Sequence, residues 1–286
     1  MGQIVFNAVI LSATYALIAL GITLIFSIMN VLNFAHGQMF MIGGFAVYYI
    51  YGVYHWPFSL ALVAAAVGVG LIGVVFEAFL FRRVRRKATR AENSMLLAVG
   101  TAILLENLAL FAFGEKERGV PDVVSGVYRF GDVFLPAQRV LILAIALCLV
   151  TALLVFVQYT RPGRAMRALA QDREVTMLMG VNVDRISMLG FGIGAGLAGL
   201  AGALLVTLSG VNSGIGSAIT TKAFIMIMIG GAGVVAGSIM GALILGVAEA
   251  VGYALLPGSI TYLLIFLVLI LFLILRPQGL MGKPWG

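Results

Sequence analysis

Three side chains that can donate and accept hydrogen bonds, Asn33, His36 and Gln38, stand together in NFAHGQMFMIGG at 33–44. The first 76 residues of the chain hold no Asp, Glu, Lys or Arg, so these groups are isolated polar points in an apolar stretch. Asn33 and Gly37 are poor helix residues, and the segment reads as an interruption rather than a helix interior. The hexapeptide MFMIGG at 39–44 recurs as MIMIGG at 226–231, an offset of 187 residues, preceded by Lys222. Paired interruptions in two halves of a membrane chain point to a solute path, because broken backbone is tolerated in hydrocarbon only where it faces protein or a cavity. On this reading Asn33, His36, Gln38, Gly43, Gly44, Gly230 and Gly231 belong to a substrate path. His36 has a second reading, as a ligand of a backbone carbonyl or helix end at the cytoplasmic boundary.

Other chemistries are disfavoured. His55 is the only other histidine and Cys148 the only cysteine, so no metal site or disulfide framework is expected. Cys148 lies in an apolar run and reads as a small buried residue. No membrane run holds an Asp, and no motif pairs a serine with a histidine, so no catalytic residue is assigned. The phosphate-binding pattern G-x-x-x-x-G-K-[ST] is missing, so the chain should not bind ATP itself. Glu77, Glu106 and Glu249 lie within or beside apolar runs, and buried acids there are costly. Glu77 reads as an interfacial anchor one turn from Arg82, Glu106 and Glu249 as deeper packing groups, and Lys222 as a snorkelling residue. Such acids also keep open an ion-coupled secondary transporter as the alternative function.

The elements that position these residues follow from composition. Hydrophobic residues make up 62% and charged residues 10% of 286, and the mean hydropathy is +1.12. Apolar runs of helix-spanning length recur at 4–29, 38–54, 58–81, 94–113, 139–159, 187–208, 223–253 and 258–275. The chain therefore reads as all-α: one polytopic membrane domain, 1–286, of about eight transmembrane helices, with broken or re-entrant segments near 30–38 and 223–234. The first run lacks the basic region and cleavage site of a signal peptide and is expected to stay as helix one. The net charge of +7 is distributed as an orientation signal and suggests no nucleic acid. Six basic residues and no acid fill 82–90, and five arginines against three acids fill 160–186, whereas 114–139 is balanced at four and four. Basic loops stay in the cytoplasm, which places the N-terminus outside. The side of the C-terminus depends on how many times 223–253 crosses, with Arg276 and Lys283 favouring the inside.

The stretch at 160–186 is far longer than the ~2–8 residues that connect neighbouring helices. Pro162 and Gly163 stop the preceding helix. Ala165, Met166, Leu169, Ala170, Val175, Leu178 and Met179 then form an apolar stripe opposite Arg164, Arg167, Gln171, Asp172, Arg173 and Glu174. The spacing predicts one amphipathic helix over 164–179, broken near Gly180. Such a helix either lies on the membrane surface or docks into a groove of a cytoplasmic partner.

GRAMRALAQDREVTMLMGVNVDR resembles the cytoplasmic loop of permease subunits from branched-chain amino acid ABC importers. Glu174-Val175-Thr176 with Gly180 is similar to the E-A-A-x-x-x-G core of importer coupling loops, with Val and Thr where alanines are usual. TYALIALGITLIF at 14–26, NFAHG at 33–37, KAFIMIMIGGAG at 222–233 and RPQGLMG at 276–282 fit the same family in the same order. The resemblance implies a bacterial inner-membrane subunit that pairs with a second homologous permease, two ATP-binding subunits and a periplasmic solute-binding protein. It implies ATP on the partners, no cofactor on this chain, and a solute that is a branched-chain or other apolar amino acid, or a small amide such as urea. It also implies that Gly163, Arg164, Arg167, Ala168, Asp172, Glu174 and Gly180 couple the chain to its ATPases.

Overall fold

The computed structural model describes residues 1–87, 92–130 and 133–282. Ala88 to Arg90 of the first basic loop, and Lys283, lie outside the described residues. The elements, in chain order, are α1 (Gly2–Met29), α2 (His36–Val47) with a π-helical continuation (Tyr48–Val53), and α3 (Phe58–Phe76) with a π-helical continuation (Glu77–Phe81) into α4 (Arg82–Lys87). There follow α5 (Glu92–Phe113), the strands β1 (Val127–Phe130) and β2 (Val133–Pro136), α6 (Ala137–Tyr159), α7 (Arg161–Gln171) and α8 (Arg173–Leu178). The chain ends with α9 (Val183–Ser209), α10 (Ile215–Gly230), α11 (Val235–Leu255) and α12 (Gly258–Leu275). Proline precedes the first residue of α3, α6 and α12, where its fixed φ suits a helix start and no backbone donor is lost.

Among the described residues, seven helices are long and apolar enough to cross a membrane, and α10 is a shorter apolar helix of 16 residues. The expected polytopic all-α architecture is present, and so are both expected interruptions. The 223–253 run divides into α10 and α11, because Gly231 at φ 106 and Gly233 at φ 81 turn the backbone out of the helix. The antiparallel β1–β2 hairpin was not foreseen; it pairs Val127 with Pro136 and Arg129 with Phe134.

The core is built on α1 and α9, which are buried along most of their length. Hydrophobic burial does not hold helices together in lipid, so close packing through small residues must do so. The glycines of α9 serve three neighbours at once. Gly194 meets Gly21 of α1, Gly196 meets Ala66 of α3, and Gly202 meets Phe40 of α2. By contrast α12 and one face of α3 leave Leu263, Val268, Ile274, Val67 and Leu71 exposed, as lipid-facing or partner-facing surfaces require. Cys148 belongs with these: it is exposed, not buried, because α6 packs inward through Ile142, Ala146, Leu153 and Val157, and Cys148 falls off that stripe.

The two ends of the bundle are separable by their contacts. At one end Gln3 and Asn7 of α1 accept hydrogen bonds from the Phe134 backbone and Arg139, joining the N-terminus to the hairpin and to α6. At the other end lie the basic loop, α7 and α8, the 231–234 turn beside Phe26 of α1, and the chain after α12. Leu280 and Met281 donate backbone hydrogen bonds to the carbonyls of Ile229 and Gly230 at 2.8 and 3.0 Å. Arg276–Gly282 therefore lies at the same end of the bundle as α7 and α8, and the division of 223–253 into two helices brings it there.

Candidate functional site

A cavity of about 520 Å³ opens among α1, α2, α6, α9, α10, α11 and α12. Asn7, Arg139 and Ser209 stand at its non-cytoplasmic rim, near the ends of α1, α6 and α9. Its deeper wall carries an ion pair. The Lys222 ammonium lies 2.9 Å from Glu249 Oε1, with side chains only 11% and 1% exposed. It also donates to Glu249 Oε2 at 3.1 Å and to the Tyr15 hydroxyl at 2.7 Å. The Tyr15 hydroxyl donates in turn to Glu249 at 2.5 Å. The rings of Tyr15 and Tyr262 flank the ammonium at 5.1 and 5.2 Å, within cation–π range. Lys222 therefore does not snorkel to the interface; Glu249 across the helix pair satisfies it in place. Sequence reading missed this pairing, although a lone lysine and a lone glutamate in successive apolar helices were its signal.

Asn33, His36 and Gln38 are fully buried where the chain re-enters the bundle. Met29 ends α1, Asn30 adopts a left-handed conformation, and residues 31–35 lead back through a turn at Phe34 and Ala35 to the middle of α1. There His36 Nε2 lies 3.2 Å from the Ile18 carbonyl. Ile18 precedes the cytoplasmic end of α1 at Met29 by 11 residues, or about 16 Å at ~1.5 Å per residue. His36 thus meets a backbone carbonyl, but at mid-membrane depth rather than at the boundary. Asn33 Oδ1 accepts from the Ala35 amide at 3.1 Å, making a local turn. The Gly37 amide donates to Thr220 of α10 at 3.1 Å. Gln38 donates to Glu106 at 3.2 Å, and Ser217 donates to the same carboxylate at 2.5 Å. Three atoms of the cluster, Asn33 Nδ2, His36 Nδ1 and Gln38 Oε1, are buried without a partner. Buried polar atoms are rarely left so, which sets this cluster apart from ordinary packing.

The two M-x-M-I-G-G copies lie on antiparallel helices and at opposite depths. Gly43 packs on the Gly199 backbone of α9, and Gly44 beside Val206 and Val211. Gly230 packs on the Gly237 backbone of α11, and Gly231 on Gly282 of the terminal segment. A Cβ at Gly43 or Gly230 would collide with a backbone carbonyl. These glycines are helix contacts; of the first copy only Phe40 reaches the outer cavity.

At the other end of the bundle, the helix expected over 164–179 is two helices, and α6 already stops at Tyr159. Thr160 caps α7 by accepting from the Gly163 amide, with Pro162 in its first turn. Asp172, extended at φ −154, ends α7 and caps α8 by accepting from the Glu174 and Val175 amides at 2.8 and 3.0 Å. Gly180 leaves α8 at φ 81. This break re-aims the apolar stripe. Gly163, Met166 and Leu169 are buried against the bundle, with Met166 beside Gly190 of α9. Val175, Met177, Leu178 and Met179 are exposed instead. Arg164, Arg167, Ala168, Asp172 and Glu174 are exposed around them. Partial burial and the neighbouring Arg85 pull the Arg173 guanidinium below its ordinary value, opposed by Asp184 and Glu77. Glu77 is fully buried and pairs with Arg85 at 2.7 Å rather than anchoring at the interface beside Arg82, which instead reaches Asp184 of α9 at 3.8 Å.

Helices packed through glycine, a largely apolar cavity with a buried ion pair on one side and an amphipathic loop on the other define a multi-pass membrane permease. Residues 4–273 match the family described as the permease component of the branched-chain amino acid transport system, and the chain belongs to it. It is 35% identical to the high-affinity branched-chain amino acid transport permease LivH of Salmonella typhimurium, over 99% of this chain and 96% of that protein. It is 34% identical to LivH of Escherichia coli, with the same coverage. Against the permease BraD of Pseudomonas aeruginosa it is 33% identical, over 97% of this chain and 94% of that protein.

Proposed function

We propose that this chain is a permease subunit of an ATP-binding cassette importer. It translocates branched-chain or related apolar amino acids, or a related small amide such as urea, across the bacterial inner membrane. The observation that carries the reading is the exposed apolar end of α8, held at the cytoplasmic face between a capped start at Asp172 and the Gly180 turn. A helix of this kind seats in a partner groove. Permeases of this family are transport components, not enzymes, and work with ATP-binding partners and a binding protein.

In the assembly, this chain pairs with a second homologous permease as a heterodimer, two ATPases dock below, and a periplasmic solute-binding protein docks above. ATP is bound and hydrolysed on the ATPases, and this chain carries no cofactor and makes no covalent bond to its solute. Gly163, Arg164, Arg167, Ala168, Asp172, Glu174 and Gly180 form the coupling loop. Closure of the ATPases pushes α8, and the buried face of α7 passes that motion to α1 and α9 as a rigid body. The solute path runs from the outer cavity past Asn33, His36 and Gln38, and the contacts at Gly43, Gly44, Gly230 and Gly231 set the helices that bound it.

Reconstitution of the chain with its permease partner, ATPases and binding protein tests this. Leucine uptake should require ATP and loaded binding protein together. Uptake by the chain alone under an ion gradient, with no ATPase present, would refute the reading.

A further inference from the structure

The Lys222–Glu249 pair has no obvious value as a stabilising element. Two charges taken out of water recover their desolvation cost only with complete pairing, and an apolar pair of the same size often serves as well. An ionisable pair within the membrane is a functional group by default. Its surroundings show what it could bind. It lies on the wall of a 520 Å³ cavity, within the size range of small-molecule sites. The same cavity is lined by the apolar side chains of Ile10, Leu11, Phe40, Leu205 and Ile219, which supply an apolar wall. The pair is not saturated: Glu249 Oε1 lies close to the ammonium but receives no aligned hydrogen bond. The rings of Tyr15 and Tyr262 add a cation-attracting surface to the same corner.

We propose that this corner is a recognition site for the zwitterionic head of an aliphatic α-amino acid. The solute's carboxylate joins Lys222, its ammonium joins Glu249 beside the tyrosine rings, and its branched side chain lies on the apolar wall. A zwitterion converts the pair into a closed ring of four alternating charges. A ligand lacking either charge leaves one site group facing an unneutralised neighbour, which is the strongest form of rejection that a buried polar site offers. The site rests on the amino-acid reading above and adds to it a place and a head-group requirement within this chain.

The test uses the whole reconstituted complex carrying Ala218→Cys in a Cys148→Ser background, because Ala218 lines the cavity. A thiosulfonate reagent is added from outside without ATP. Leucine should slow modification at least fivefold, whereas 4-methylpentanoate and 3-methylbutylamine, each lacking one charge, should not. Lys222→Met and Glu249→Gln should each lose leucine protection. The double variant, which leaves no lone buried charge, should lose it too while still co-purifying with the ATPases. Equal protection by all three compounds, or protection that survives the double variant, overturns the site. Leucine uptake by the unmodified complex tests the underlying reading separately. A complex that takes up leucine but shows no protection overturns the site alone.

Discussion

Leu178 and Met179 are 86% and 79% exposed at the end of α8, so almost the whole hydrophobic value of both side chains is still available to a partner. Full burial of one such side chain is worth about 1.5–3 kcal/mol. Truncating both, as Leu178→Ala with Met179→Ala, should remove roughly 3 kcal/mol from the ATPase contact, about a hundredfold in affinity at 1.4 kcal/mol per tenfold. The costs of association are common to both proteins and cancel in the comparison. Because both side chains are free in the single chain, the substitution should leave the permease's own thermal midpoint in detergent unchanged. The assay is titration of purified ATPase onto the permease pair, followed by ATP hydrolysis with and without loaded binding protein. Weakened docking with an unchanged midpoint is the expected result. Undiminished affinity and full receptor-stimulated hydrolysis would refute the idea that this end of α8 seats in the ATPase. Glu174→Lys and Gly180→Pro address the same contact by charge and by turn geometry, and should weaken receptor-stimulated hydrolysis in the same assay.

Two further outcomes follow from packing and parity. Gly43→Leu or Gly230→Leu drives a side chain into the Gly199 or Gly237 carbonyl; overpacking costs about 1–3 kcal/mol, and uptake should be abolished while the ATPases still co-purify, so normal uptake in both variants would show that these contacts do not govern passage. Cysteines placed at Gln171 and Gln278 should react with impermeant thiol reagents only from the cytoplasmic side, and ready labelling of either in intact cells would overturn the orientation.

Much of the architecture is carried by local chemistry. Runs of apolar residues can only be membrane helices, because a backbone in hydrocarbon must satisfy its own hydrogen bonds. The basic loops carry the orientation signal, and Asn30, Gly231 and Gly233 make the breaks, their left-handed backbone being a local preference. The amphipathic stripe at 164–179 was legible for the same reason, and the family resemblance implied a role for it in coupling to ATPases. Its division at Asp172 came only with the structure, as did the finding that Met166 faces inward while Leu178 faces out. Lys222, Glu249 and Tyr15 lie far apart in the chain, and no periodicity relates them. Their meeting was decided by how α1, α10 and α11 cross. So were the burial of Glu77 against Arg85 and the seating of residues 280–281 on the end of α10. Helix type and length depend on interactions within a few turns, which the sequence by itself determines. Which faces meet depends on where small residues let whole helices approach, and only the tertiary structure decides that.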